Sequence, residues 1–216
     1  ASAVGAYTLT YTTAGPCVNS TNTAIIIQAS PTVDAGTNQT VCAASPMVTL
    51  AGSFTVATGG LWTSSGTGTF SDNTSMTSTY TPSAADISSG SVTITLTTTG
   101  NGICNAEMDN MTLTIDPVPT FTISTVDPTT CGGGDGSVSI NGLLPSTIYD
   151  ITYDDDAVTF GPNSIMSNAG GTINIIGQDA GTYTNFIVAL ASCPGTDAGP
   201  YVLSDPPLPI SDAGVD

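Results

Sequence analysis

One local pattern occurs twice in this chain. Tyr11-Thr-Thr-Ala-Gly-Pro-Cys17, followed by Thr23-Ala-Ile-Ile-Ile27, returns as Leu96-Thr-Thr-Thr-Gly-Asn-Gly-Ile-Cys104, followed by Met111-Thr-Leu-Thr-Ile115. Each copy reads as strand, glycine-bearing turn with a cysteine, strand. A self-similar chain is assembled from modules, and one large α/β unit is not expected. A second echo, Val33-Asp-Ala-Gly36 against Ser211-Asp-Ala-Gly214, sets two aspartates 178 positions apart (212 − 34). The 216 residues suit about two domains, since a single core takes ~100 to 150.

The echoes parse the chain. Residues 1–30 read as the last hairpin of a truncated repeat, 33–116 and 120–205 as two complete repeats, and 210–216 as the opening of another. Prolines mark the joints at Ser30-Pro31, Asp116-Pro117-Val118-Pro119 and Asp205-Pro206-Pro207-Leu208-Pro209. Proline fixes φ and stiffens a connection into an extended spacer, so the array is expected to be rod-like.

Within 33–116, Val92, Ile94 and Leu96 alternate with Thr93, Thr95 and Thr97, the signature of a half-buried strand, and Met111, Leu113 and Ile115 repeat it. Further strands are expected at 48–50, 61–63, 69–71 and 79–81. Pro82-Ser-Ala-Ala-Asp86 reads as one helical turn, Ser83 as N-cap and Asp86 completing a capping box. Strands in 120–205 are expected at 121–124, 137–140, 148–153, 172–176, 186–190 and 201–203, with Gly132-Gly-Gly-Asp-Gly136 as a turn. Short strands with turn signals every ten or so residues make an all-β chain of immunoglobulin-like β-sandwiches.

Charge narrows the function. There is no Lys, Arg or His against 17 acidic residues, all Asp except Glu107. No ion pair between side chains can form, so stability rests on apolar burial, ladder hydrogen bonds and covalent staples. Ordinary nucleic-acid binding is excluded and anionic membrane surfaces are not expected as partners, because both are held by Lys and Arg. No run approaches the ~20 apolar residues of a membrane-spanning helix. Catalysis is not expected either: without His, Lys or Arg there is no Ser-His-Asp triad, Schiff base or cationic clamp.

Five cysteines, Cys17, Cys42, Cys104, Cys131 and Cys193, stand far apart with no zinc-type spacing. Such spacing suits disulfides in an oxidising, extracellular compartment. The simplest pairing is one bridge per repeat, Cys42 with Cys104 and Cys131 with Cys193. Cys17, the repeat-equivalent of Cys104, then pairs with a cysteine outside the sequence, an intermolecular bridge being the alternative.

Asp154-Asp155-Asp156 is the densest acidic cluster. Oxygen-only ligands suit calcium, the one cofactor the residues offer a place for, whereas a solvated turn is the plain alternative. The joint residues Asp34, Asp116, Asp127, Asp205 and Asp212 pose the same choice between calcium and turn chemistry. Trp62, the lone tryptophan, is the residue on which a sugar would stack if the chain were a carbohydrate-binding module. Between Leu61 and Thr63 on an expected strand, it reads first as core.

The run from Val33-Asp-Ala-Gly through Val41-Cys42, Leu61-Trp62, Tyr80-Thr-Pro-Ser-Ala-Ala-Asp-Ile87 and Gly100-Asn-Gly-Ile-Cys104 to Leu113-Thr-Ile115 resembles the PKD-like and immunoglobulin-like repeats of giant surface proteins of Bacteroidota. Thr130-Cys-Gly-Gly-Gly-Asp-Gly-Ser137, with Asp179-Ala-Gly-Thr-Tyr183 and Cys193, resembles the repeats of SprB-type gliding adhesins. The ending Val188-Ala-Leu-Ala-Ser-Cys193 departs from the usual strand-Asp-x-x-Gly-Cys. The resemblance implies type IX secretion and display as cell-surface filaments for gliding, attachment or cell capture. Neighbouring repeats of the chain, laterally associated copies and surface glycans are the partners it implies.

Overall fold

Alternating apolar and threonine residues produce strands here because one face can then enter a core while the other stays in water. The computed structural model describes residues 4–191 and 193–208 and is 53% strand and 3% helix. Two compact units form. One gathers the chain up to Gln39 with Met47–Thr114, the other Thr40–Pro46 with the chain from Ile115 onward. The opening of a further repeat over 210–216, with the Ser211–Gly214 echo and Asp212, lies outside the described residues.

In chain order the first elements are β1 (Gly5–Thr12), β2 (Ser20–Ile27), β3 (Thr32–Asp34), β4 (Gln39–Cys42), β5 (Val48–Thr49), β6 (Ser53–Thr55), β7 (Gly59–Ser64), β8 (Thr69–Phe70), β9 (Thr79–Thr81), α1 (Ala84–Ser89), β10 (Ser91–Thr99) and β11 (Met108–Asp116). The sheets run β4-β11-β10-β7, β5-β9-β8 and β3-β6, and β1-β2 is a hairpin apart. Val92, Ile94, Leu96, Met111 and Leu113 are buried, as their alternation predicts. Trp62 on β7 is 1% exposed, as deeply buried as Val48, Leu50 and Tyr80. Its Nε1 donates to Ser75 O at 2.9 Å, so the indole is buried without a lost hydrogen bond.

The β1-β2 hairpin has the pairing of β10-β11. Tyr7 faces Ile25 as Val92 faces Leu113, and Leu9 faces Thr23 as Ile94 faces Met111. Leu9, Tyr11 and Ile25, which occupy the face buried in β10-β11, are exposed.

The second unit contains β12 (Thr122–Val126), β13 (Gly136–Asn141), β14 (Ile148–Asp155), β15 (Val158–Met166), β16 (Ile173–Gln178), β17 (Gly181–Leu190), β18 (Cys193–Asp197) and β19 (Tyr201–Leu203). One sheet is β12-β13-β16; the other is β15-β14-β17-β18, with β19 also on β17. Their inward faces meet in a core built on Tyr149, Ile151, Tyr153, Tyr183, Phe186 and Val188. Tyr153 stacks on Phe186 at 5.6 Å, and Phe186 meets Tyr201 edge-on at 5.8 Å. β15 and β18 were not expected from the sequence. β15 is exposed almost throughout, so it carries no buried alternation to read, and Pro194-Gly195 inside β18 is a turn-like pair.

Candidate functional site

Cys42 is bonded to Cys193, with a Cα–Cα distance of 4.9 Å and a separation of 151 residues, and Cys17, Cys104 and Cys131 are free. This corrects the expected pairing: Cys42 does not join Cys104, nor Cys131 Cys193, and the one bridge among the described residues lies within the second unit. The reason is position along β11. Cys104 lies in the turn before that strand begins, its Sγ donating to Ala29 O at 3.5 Å. Beside the strand's last residue, Ala43 N donates to Asp116 O at 2.9 Å, which places Cys42 at the other end. Nine strand residues span about 27 Å, far beyond the ~7 Å Cα separation a disulfide tolerates. Cys193, the first residue of β18, has its Sγ 3.4 Å from Asp116 O and so meets Cys42 there. Cys131 lies instead beside Pro206, its Sγ donating to that carbonyl at 3.3 Å.

Asp154, Asp155 and Asp156 do not form a cation cluster. Asp154 ends in two protein donors, Thr159 Oγ1 at 2.6 Å and Asn185 Nδ2 at 2.7 Å, which hold its carboxyl below the usual range. Asp156 Oδ1 accepts from Thr182 N at 2.9 Å. Asp155 points toward the Tyr183 side, and burial first, then the Asp156 charge, raises its pKa. Burial first and Asp155 second push the Tyr183 phenol above its ordinary value. Successive strand side chains face opposite ways, so three in a row cannot converge on one ion. No group of three metal-ligating side chains occurs among the described residues. The joint aspartates serve the backbone: Asp34 Oδ1 accepts from Gly36 N, Asp127 Oδ1 from Ser204 N and Asp205 Oδ1 from Gly132 N.

Two polar anchors carry more structure than their sequence signals suggest. Asp86 is 3% exposed. The expected capping box with Ser83 is present, and the same carboxylate also accepts from Thr67 N at 2.9 Å, Gly68 N at 2.8 Å and Tyr80 Oη at 2.8 Å. Burial opposes its ionisation, but these donors outweigh it and hold its pKa below the ordinary value. Gly66 lets the β7-β8 turn approach, since a Cβ there would stand 2.2 Å from Asp86 Oδ1. In the second unit, Tyr183 Oη donates to Asp179 O at 3.0 Å. A tyrosine bonded to the backbone four residues upstream is the tyrosine corner of immunoglobulin-like sandwiches. The residues Asp179-Ala-Gly-Thr-Tyr183 were its readable signal.

Cavities are small. One of about 120 Å³ is lined by Pro117, Pro119, Leu143, Leu144, Tyr149 and Leu190. Another of about 330 Å³ lies over Asn185, Phe186, Ile187, Thr196, Asp197 and Ala198. Neither lining holds the carboxylate pair that glycoside cleavage uses.

Two-layer antiparallel sheets with a tyrosine corner define the immunoglobulin-like class. Among solved structures, the N-terminal eight Ig domains of Down Syndrome Cell Adhesion Molecule (DSCAM) are similar, with a TM-score of 0.51 and 10% identity over 93% of this chain. The chain spans about a third of that structure's length, 31%. Immunoglobulin domains 1–5 of Sidekick-1 match with a TM-score of 0.45 at 16% identity, over 93% of this chain and 46% of that one. No protein-family model matches the chain, and no curated protein is similar to it at a significant level.

Proposed function

We propose that the chain is a segment of an extracellular surface filament, a stalk of tandem immunoglobulin-like repeats whose exposed faces serve adhesion. The observation that carries this reading is the Cys42–Cys193 bridge, which ties Thr40–Pro46, a segment from within 33–116 that belongs to the second compact unit, to the start of β18. Bridges of this kind persist in oxidising, extracellular compartments, and joining successive repeats is what a structural cable requires. The fold's likeness to a cell adhesion molecule fits this use. Within it, the repeat resemblance favours export by type IX secretion and a role in gliding, surface attachment or cell capture. Neighbouring repeats, lateral copies and surface glycans are then the partners.

A carbohydrate-binding module would need an exposed aromatic platform, and Trp62, the residue that reading relied on, is 1% exposed. The stalk is tested by immunogold electron microscopy of the native cell surface. Label along threads is expected, absent when type IX secretion is disabled. Label confined to the cell interior or the medium contradicts the reading.

A further inference from the structure

We propose that Cys104 and Cys131 are half-bridges, each closed by a cysteine of an adjoining repeat, so that every repeat of the array is bonded to the next. The inference rests on the tandem-repeat reading above and deepens it.

The cysteines fall into two positions of one period. Cys131 lies 89 residues beyond Cys42, and Cys193 lies 89 beyond Cys104 (131 − 42 and 193 − 104). The environments repeat with the numbers. After Cys42, Ala43 N donates to the Asp116 main-chain carbonyl; after Cys131, Gly132 N donates to the Asp205 side-chain carboxylate, each aspartate 73 positions on and directly before a proline (116 − 43 and 205 − 132). Cys104 lies in the turn of the β10-β11 hairpin and Cys193 directly follows that of β17-β18, as the first residue of β18, so both stand at the turn end of a long hairpin. Each has its Sγ beside a carbonyl of the segment leading into its own repeat, Ala29 O at 3.5 Å and Asp116 O at 3.4 Å. Cys17 stands in the turn of β1-β2, 87 residues before Cys104, and is a third turn cysteine (104 − 17).

The one closed bridge joins the first kind of cysteine to the turn cysteine of the following repeat. Shifting it by one period assigns the rest. Cys131, exposed, takes the turn cysteine of the repeat after 120–205, and Cys104 takes the first-kind cysteine of the repeat before 33–116. Closing each bridge converts two thiols to one disulfide and releases two protons and two electrons. A disulfide-bearing oxidoreductase outside the cytoplasm accepts the electrons: the first thiolate forms a mixed disulfide with it. The second thiolate then displaces it as a dithiol.

The ladder would limit extension. Between the turn cysteine Cys104 and the next first-kind cysteine Cys131 lie 27 positions (131 − 104), and a covalent path alternating such segments with bridges skips the cores of the sandwiches. Pulled taut, two repeats could lengthen to only about 95 Å at ~3.5 Å per residue.

The test is a disulfide map of the native chain, alkylated before digestion with an Asp-specific protease, because trypsin has no site. Cys104 and Cys131 are expected to resist alkylation and to appear bonded to peptides from outside this sequence. Free alkylated thiols at both, or Cys42–Cys104 and Cys131–Cys193 pairs, overturn the proposal while leaving the filament reading to the microscopy. In the purified 216-residue chain oxidised with glutathione disulfide, complementary partners exist only on a second copy. A reducible ladder of oligomers linked from Cys131 to Cys104 or Cys17 is expected, lost in Cys131→Ser. A ladder that persists in Cys131→Ser also overturns it.

Discussion

The two units solve the same packing problem with different polar anchors. The first sets one tryptophan in its core and ties a turn, a helix start and a tyrosine to the buried carboxylate of Asp86. The second fills its core with Tyr153, Phe186 and Tyr183 and ties the last to Asp179 O. An anion with four donors makes the first unit sensitive to acid, whereas a neutral phenol bonded to a carbonyl does not titrate in that range. A shared sandwich thus leaves freedom in how its turns are pinned, and the two anchors give the units different responses to perturbation.

The largest effect is expected from Trp62→Ala, which should cost the first unit about 4 kcal/mol by leaving a cavity. Hydrogen exchange resolved by segment checks it: protection should fall in β7, β10 and β11 and hold in β14 and β17. Cys193→Ser should act on the other side, costing the second unit about 3 kcal/mol, read in the same exchange experiment as loss across β17 and β18. An equal loss in both units from either substitution would break the comparison.

Asp86→Asn should cost about 2 kcal/mol, because it replaces a charged acceptor of several buried donors. It also tests the pH argument. Asp86 has a folded pKa below its unfolded value, so its contribution is complete above about pH 4 and is lost as pH falls through the folded pKa. Trp62 fluorescence, which reports the first unit alone, should show acid destabilisation in the parent and much less in Asp86→Asn. Asp155 has the opposite sign, its folded pKa being raised, so acid relieves it and Asp155→Asn should slightly raise the melting temperature of the second unit at neutral pH. Tyr183→Phe, removing one buried hydrogen bond, should cost about 1 kcal/mol. Calcium should have the smallest effect, with chelator and calcium giving one melting curve, since Asp154 and Asp156 are already held by protein donors.

Much of this was legible in the sequence. The alternation in β10 and β11 and the Ser83–Asp86 box were read from period and spacing, because local rules govern them. β15 escaped because an exposed edge strand has no buried face to show. Asp86 was legible as a cap but not as the acceptor for Thr67 and Gly68, which reach it from 18 to 19 residues away in sequence. The disulfide partner was misread for a related reason. Pairing within a repeat satisfies any spacing rule, and only the two ends of β11 reveal that Cys42 and Cys104 stand apart. The 89-residue shift of both cysteines was available as a signal, yet a period says which residues correspond, not which residues meet.

Pulling the oxidised chain from its two ends in a force spectrometer tests the central bridge most directly. With Cys42 bonded to Cys193, unfolding should stop at a contour of about 230 Å, at ~3.5 Å for each residue outside the loop, and reductant should release about 500 Å more. A limit near 320 Å, the length left by separate Cys42–Cys104 and Cys131–Cys193 bridges, would contradict the Cys42–Cys193 pairing.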